Sequence, residues 1–188
     1  MKLIILDRDG VINVDSDEYI KSPEEWQPIP GSLEAIARLT QNGWHIAVAT
    51  NQAGIGRGLF DMATLNAMHT KLHRSVAAAG GRIEAIFYCP DTSDSNSPNR
   101  KPNPGMNLAI GERFNVSLEG VPSVGDSLRD LQAAEAVKAR PILVLTGKGI
   151  KTRDAGNLPP GTQIHTDLRA FARALLSPAP QGTPSRAP

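Results

Sequence analysis

Five short apolar runs recur along the chain, at Lys2–Leu6, His45–Thr50, Ala85–Cys89, Pro122–Gly125 and Ile142–Leu145, with a weaker sixth at Gln163–His165. Most lack polar alternation, which predicts strands buried on both faces. Between them the apolar residues take helical spacing. Ser32 is placed to cap a helix whose Leu33, Ile36, Ala37 and Leu39 share a face, with Gly43 as its stop. Asp61 is placed to cap a longer helix carrying Leu65, Met68, Leu72 and Val76 as far as Gly80. Further helices are predicted after Pro104 (Leu108, Ile110, Phe114), Asp126 (Leu128, Leu131, Ala134) and Asp167 (Leu168, Phe171, Leu175). Alternating strands and helices imply right-handed crossovers, hence an α/β three-layer sandwich with a mainly parallel, Rossmann-like sheet and helices on both faces.

Composition narrows the class. The 188 residues suit one domain, read here as residues 1–177, and the ending "PAPQGTPSRAP" predicts a disordered tail over 178–188. A formal net charge of +1 and 4% aromatic residues give no general attraction for nucleic acid or anionic lipid. No run approaches the roughly 20 apolar residues of a membrane span. The one cysteine, Cys89, excludes an internal disulfide and fits a reducing compartment. These features predict a cytoplasmic protein with neither membrane nor nucleic-acid partner, whose ligand has to be argued from local sites; a monomer is expected.

In open parallel sheets ligands bind beyond the carboxyl ends of the strands. There the sequence places Asp7 and Asp9 after the first run, Thr50, Asn51 and Gln52 after the second, Arg100 and Lys101 after the third, and Asp126 with Asp130 after the fourth. Crowded acids need a counter-charge, which Mg²⁺ supplies through oxygen ligands, while a hydroxyl and two cations suit an anion beside it. Taken singly, "DRDG" reads as a surface turn and "GDSLRD" as a helix start with Asp126 as cap and Asp130 exposed; four strand ends agreeing favours a site. The proline-rich loop Pro90–Pro104 has the length of a functional loop. His69 and His73 read as a helix-surface pair, and the GxGxG of Gly54–Gly58 as a flexible substrate-side loop.

The segments "LDRDGVIN", "VATNQAGIGRG", "RKPNPG" and "VGDSLRD" resemble, in order, the four motifs of the haloacid dehalogenase-like phosphatases. They are most similar to the small branch with no large cap domain, which includes the heptose-bisphosphate 7-phosphatases and the histidinol phosphatases. The resemblance implies Asp7 as nucleophile, Asp9 as general acid and base, and Thr50 and Lys101 as holders of the transferring phosphoryl group. It further implies Mg²⁺ on Asp7, the Asp9 backbone carbonyl and Asp126. The rest of the substrate falls to Asp15, Ser16, Asp17 and Glu18, to Asn51, Gln52 and Ala53, and to Arg100, the arginine suiting a second phosphate.

Relatives commonly bind zinc in the third loop, but Asp91, Ser97 and Asn99 stand where Cys or His is usual, so no structural zinc is expected. Ser127 replaces a frequent Lys, which leaves anomer preference open. The leading expectation is hydrolysis of the 7-phosphate of D-glycero-D-manno-heptose 1,7-bisphosphate, in lipopolysaccharide precursor synthesis. Alternatives are histidinol-phosphate phosphatase, nucleic-acid 3'-phosphatase and, from another class, a phospho-acceptor signalling domain.

Overall fold

The computed structural model describes residues 1–177, so the expected tail lies outside the described residues. Six strands, β1 (Lys2–Leu6), β2 (Trp44–Asn51), β3 (Ala85–Cys89), β4 (Pro122–Gly125), β5 (Arg140–Val144) and β6 (Gln163–His165), form one sheet in the order β3-β2-β1-β4-β5-β6. Every pairing is parallel. The order reverses at β1, so the loops after β1, β2 and β4 open around one switch point.

Strand pleating divides the core in two. Ile4, Leu6, Ile46 and Val48 point to one side, where they join residues of α1 (Ser32–Gln41), α3 (Met62–Ala78) and α7 (Leu168–Leu176). Leu3, Ile5, Ala47 and Ala49 point to the other, against Met106 and Ile110 of α4 (Gly105–Phe114). Asn107 of α4 donates to the Ala133 carbonyl of α5 (Leu128–Ala136) at 3.0 Å, tying together the helices of that face. Two shorter helices complete the fold, α2 (Ala53–Gly56) and α6 (Gly149–Ala155).

Several local readings change. Ser32 is not the cap of α1: Gly31 takes that position at φ 85°, and the Ser32 hydroxyl donates to the Ile12 carbonyl at 2.6 Å. Leu108 is 52% exposed because Met106, Asn107 and Ile110 form the inward face of α4. Gly54–Gly58 begins as the helical turn α2 in place of a flexible loop, with the Gly56 amide bonded to the Pro90 carbonyl at 3.1 Å. β3, an edge strand, is only half-buried. By contrast Asp61 caps α3 through Thr64, and Asp167 caps α7 through Ala170, as their spacing predicts.

The 25 residues joining β1 to α1 build a wall beside the switch point. The Val14 amide bonds to the Gln27 carbonyl at 2.9 Å and the Ile29 amide to the Ile12 carbonyl at 2.9 Å, so the segment leaves the sheet and returns alongside itself. Buried Ile20 and Trp26 anchor it in the core. Lys71 of α3 fastens it from below by donating to the Pro23 and Trp26 carbonyls at 2.6 and 2.8 Å.

Candidate active site

A cleft of about 190 Å³ opens at the carboxyl end of the sheet. It is lined by Asp7, Asp9, Asp15, Asp17, Asp126 and Asp130, with Arg100, Lys101, Arg129 and Lys148 as the cationic side chains. Acids outnumber cations, and this imbalance governs the electrostatics.

Lys101 is the hinge of the charge arrangement. Its ammonium lies 2.6 Å from Asp130 Oδ1 and 3.0 Å from Asp7 Oδ1, and donates to the Ala49 carbonyl at 2.7 Å. Asn51, at the end of β2, holds the lysine backbone from both sides: Oδ1 accepts from the Lys101 amide and Nδ2 donates to its carbonyl, each at 3.1 Å. Burial opposes the lysine charge, but Asp130 and Asp7 outweigh it and push its pKa up. Burial likewise opposes the Asp130 charge, yet Lys101 and the Ser127 hydroxyl and amide hold that carboxyl below its usual range. The lysine is thus matched mainly to Asp130. Asp7 remains the surplus acid, raised well above its ordinary value by burial and by Asp130, Asp126 and Asp9.

Lys101→Met is expected to destabilise the fold by about 3–5 kcal/mol, because two buried carboxylates lose their partner. Adding Asp130→Asn should recover part of that loss, which a denaturant-based double-mutant cycle measures.

Asp126 is held by packing at its back. Lys148 donates its backbone amide to Asp126 Oδ2 at 2.7 Å, and Thr152 its hydroxyl to the Asp126 carbonyl at 2.8 Å. Gly10 and Gly147, at φ 81° and 55°, lie so close that a Cβ on either would fall inside the Asp126 carboxylate. Only glycine tolerates both that approach and that backbone. Burial, then Asp130, raises Asp126 to about 7.

Asp7, Asp126 and Asp130 each bring a carboxylate oxygen within 4.8 Å of the others. With Asp130 committed to Lys101, the hard oxygen ligands left facing the cleft are Asp7 and Asp126. Two crowded carboxylates with raised pKa values fit Mg²⁺, which is held by one or two carboxylates with substrate oxygens and water completing its shell.

Two family models match this chain: the HAD-hydrolase-like model over residues 98–171, and the polynucleotide kinase 3 phosphatase model over residues 2–130. A protein of Bordetella bronchiseptica named D-glycero-beta-D-manno-heptose-1,7-bisphosphate 7-phosphatase is 58% identical over 179 residues, 95% of this chain and 100% of the relative. One of the same name from Pseudomonas aeruginosa is 57% identical over 93% of this chain and 97% of its own. The crystal structure of the B. bronchiseptica D,D-heptose 1,7-bisphosphate phosphatase, complexed with magnesium and phosphate, superposes with a TM-score of 0.93 at 58% identity, covering 94% of this chain and 98% of that one. The chain belongs to the haloacid dehalogenase-like phosphatases. Membership sets aside the phospho-acceptor signalling alternative.

Of the residues expected in the site of this haloacid dehalogenase-like phosphatase, Asp7, Asp9, Asp15, Ser16, Asp17, Asn51, Gln52, Ala53, Arg100, Lys101 and Asp126 line the one cleft. Glu18 does not; it faces an adjoining hollow with Val14 and Lys21. Thr50 is wholly buried below the cleft, its hydroxyl accepting from Gln52 Nε2 at 2.9 Å. Asp126 is not the helix cap: Ser127 caps α5 in a capping box with Asp130, which is buried, not exposed. His69 is no mere surface residue, since its Nε2 lies 3.4 Å from Arg8 Nη1, and burial, then Arg8, lowers its pKa to about 4. Cys89 is buried, with Asp91 Oδ2 at 3.5 Å and Ser97 Oγ at 3.7 Å.

Four lining residues escaped the motif reading: Tyr19, Ile20, Arg129 and Lys148. Lys148 pairs with Asp15 at 3.2 Å and Asp17 at 3.5 Å, so it joins the wall to the loop that supports Asp126. Nothing in its spacing marks it. Arg129 stood inside "VGDSLRD" and was readable as a second cation one residue from Asp130.

Among the described residues no helix is long and apolar enough to cross a membrane.

Proposed function

We propose that the chain is a Mg²⁺-dependent phosphomonoesterase that removes the 7-phosphate of D-glycero-D-manno-heptose 1,7-bisphosphate, working as a cytoplasmic monomer in lipopolysaccharide precursor synthesis and without structural zinc. The observation that carries the reading is 58% identity over the full length of a relative so named, supported by a cleft in which Asp7 meets Lys101 and Asp126 lies within the same acidic cluster.

In this reading Asp7 attacks the phosphorus in line. A bond forms from its carboxylate oxygen as the bond to the sugar oxygen breaks, and Asp9 delivers a proton to the leaving oxygen. Asp9 then takes a proton from water, which attacks the aspartyl phosphate, and inorganic phosphate departs with Asp7 restored. Lys101 holds a phosphoryl oxygen where charge accumulates, and Thr50 supports it from beneath Gln52. Mg²⁺, held by Asp7, the Asp9 carbonyl and Asp126, would supply neutralisation of the nucleophile and phosphoryl oxygens.

Burial alone would raise the Asp9 pKa, but Arg8 and bonds from Asn13 and Gln52 outweigh it and hold the carboxyl below its ordinary range. This environment favours the form that accepts a proton from water.

Arg100 lines the cleft with its Nη1 donating to the Asp91 carbonyl at 2.9 Å, and is assigned the second phosphate. Arg100→Ala is expected to raise KM for the bisphosphate about 10- to 100-fold, the worth of a charge-assisted hydrogen bond. KM for a heptose monophosphate should barely move, and steady-state kinetics on both compounds checks this.

The test of the whole reading is phosphate release from both anomers of the bisphosphate, histidinol phosphate and 3'-phosphorylated oligonucleotides. Faster turnover of the oligonucleotides, to which the second family model points, would replace the sugar substrate; faster turnover of histidinol phosphate would do the same for the amino-alcohol ester.

A further inference from the structure

Between the two aspartates of the first loop stands Arg8, whose side chain is wholly buried. Nη1 lies 3.4 Å from His69 Nε2, and the other side-chain contacts converge on Asp9 and its partner Gln52. Nε and Nη2 donate to Asp9 Oδ1 at 3.2 and 2.9 Å, and Nη2 also reaches Asp9 Oδ2 at 3.1 Å. The same Nη2 donates to Gln52 Oε1 at 3.1 Å, while Gln52 Nε2 donates back to Asp9 Oδ2 at 2.8 Å. Asn13 Nδ2 adds a bond to Asp9 Oδ1 at 2.8 Å. The loop is wound about this arginine, whose carbonyl accepts from the amides of Ile12 and Asn13 at 2.8 and 3.1 Å. From Arg8, by contrast, Asp7 receives only the backbone amide, at 2.7 Å, its charged partner being Lys101 at 3.0 Å.

We propose that Arg8 is a positioning residue for Asp9: its fork, with Asn13 beside it, fixes the direction in which the Asp9 carboxyl meets the leaving oxygen of the substrate. The inference rests on Asp9 being the acid and base of the reaction. A planar guanidinium gripping both carboxylate oxygens sets the plane of that group as well as its place, which the point charge of a lysine does not. Gln52 closes the ring from the second strand, so the orientation is shared between two loops. Asp7, which the side chain does not touch, should keep its nucleophilicity when the fork is removed.

Leaving-group chemistry separates this role from a merely structural one. A sugar alkoxide departs only as it receives a proton. The phenolate of p-nitrophenyl phosphate departs without one. Release in the first turnover therefore depends on Asp9 for the sugar ester and not for the aryl ester.

For Arg8→Met and Arg8→Lys, rapid-quench measurement is expected to show first-turnover release of the sugar slowed about 100-fold, within the usual range for general acid catalysis. First-turnover release of p-nitrophenolate should stay within about threefold of the unaltered protein. The lysine variant should fall with the methionine variant, since charge without the fork does not orient. Should both variants fail to fold, Asn13→Ala removes one donor to Asp9 and leaves the ion pair, with the same split expected at about 10-fold. Equal slowing of both esters, or of neither, overturns the inference.

Asp9→Asn measured alongside keeps the two questions apart. If that variant also shows no split, the reading of Asp9 as acid fails. If it shows the split while the Arg8 and Asn13 variants do not, only the positioning role fails.

Discussion

Asp7→Asn is expected to abolish phosphate release while making the protein more stable. The amide keeps the shape of the carboxylate but cannot form the aspartyl phosphate, and loss of a nucleophile lowers turnover by about 10⁴-fold or more. The stability gain follows from the same residue. Burial and three neighbouring acids raise Asp7 well above its ordinary value, and Lys101 only partly opposes them.

The sign follows from proton binding. A carboxyl with a raised folded-state pKa binds its proton more tightly folded than unfolded, so its favourable contribution is present at low pH and is lost as pH rises through the folded value. An ionised Asp7 therefore counts against the fold. Asn removes that charge, and Lys101 keeps its 2.6 Å partner Asp130. Calorimetry at pH 7 should show a melting temperature several degrees higher, since ~1 kcal/mol shifts a domain of this size by about 2–4 °C. A variant that keeps measurable turnover, or melts lower than the unaltered protein, contradicts the assignment.

The second large effect is a pH-dependent response to Mg²⁺ that runs through Asp126. This carboxyl is raised to about 7 by burial and then by Asp130. Below about pH 4 it is protonated in folded and unfolded chains alike. Between there and 7 the unfolded chain ionises while the folded one retains the proton, so stability from this group declines as pH rises through about 7. A divalent cation held by Asp7 and Asp126 would favour the carboxylate forms, release protons on binding and offset that decline.

The increase in melting temperature on adding Mg²⁺ should therefore be small at pH 6 and large at pH 8. Asp126→Asn should melt higher than the unaltered protein in chelator, gain little from Mg²⁺ at either pH, and lose turnover. Chelation of the unaltered protein should stop turnover, and Mg²⁺ should restore it. An increment that is flat with pH, or that survives in Asp126→Asn, would show that the cation acts elsewhere.

Much of the site was legible because strand ends in a parallel sheet are local features with a global meaning. Asp7, Asp126 and Lys101 each follow an apolar run or its loop, and the topology sends those ends to one edge. What spacing left ambiguous was the role of like residues. Asp126 and Asp130 both follow β4, but only the first is backed by Gly10, Gly147 and the Lys148 amide, while the second caps α5 and binds Lys101. Thr50, near the end of β2, is wholly buried and its hydroxyl accepts from Gln52 two residues on, a local contact that no spacing rule distinguishes from a contact with phosphate.

The sequence by itself determined the layers, the strand ends and the acids that meet there, together with Arg100 and Lys101. Each depends on short-range periodicity and on the handedness of crossovers, which a local pattern carries. Only the tertiary structure decided which acid the lysine neutralises, that Arg8 turns inward onto Asp9, and that Lys148 joins the wall to the Asp126 loop. Those are choices among chemically equivalent partners, most of them from distant segments. They are settled by desolvation and packing, whose strength depends on distances that the order of residues does not contain.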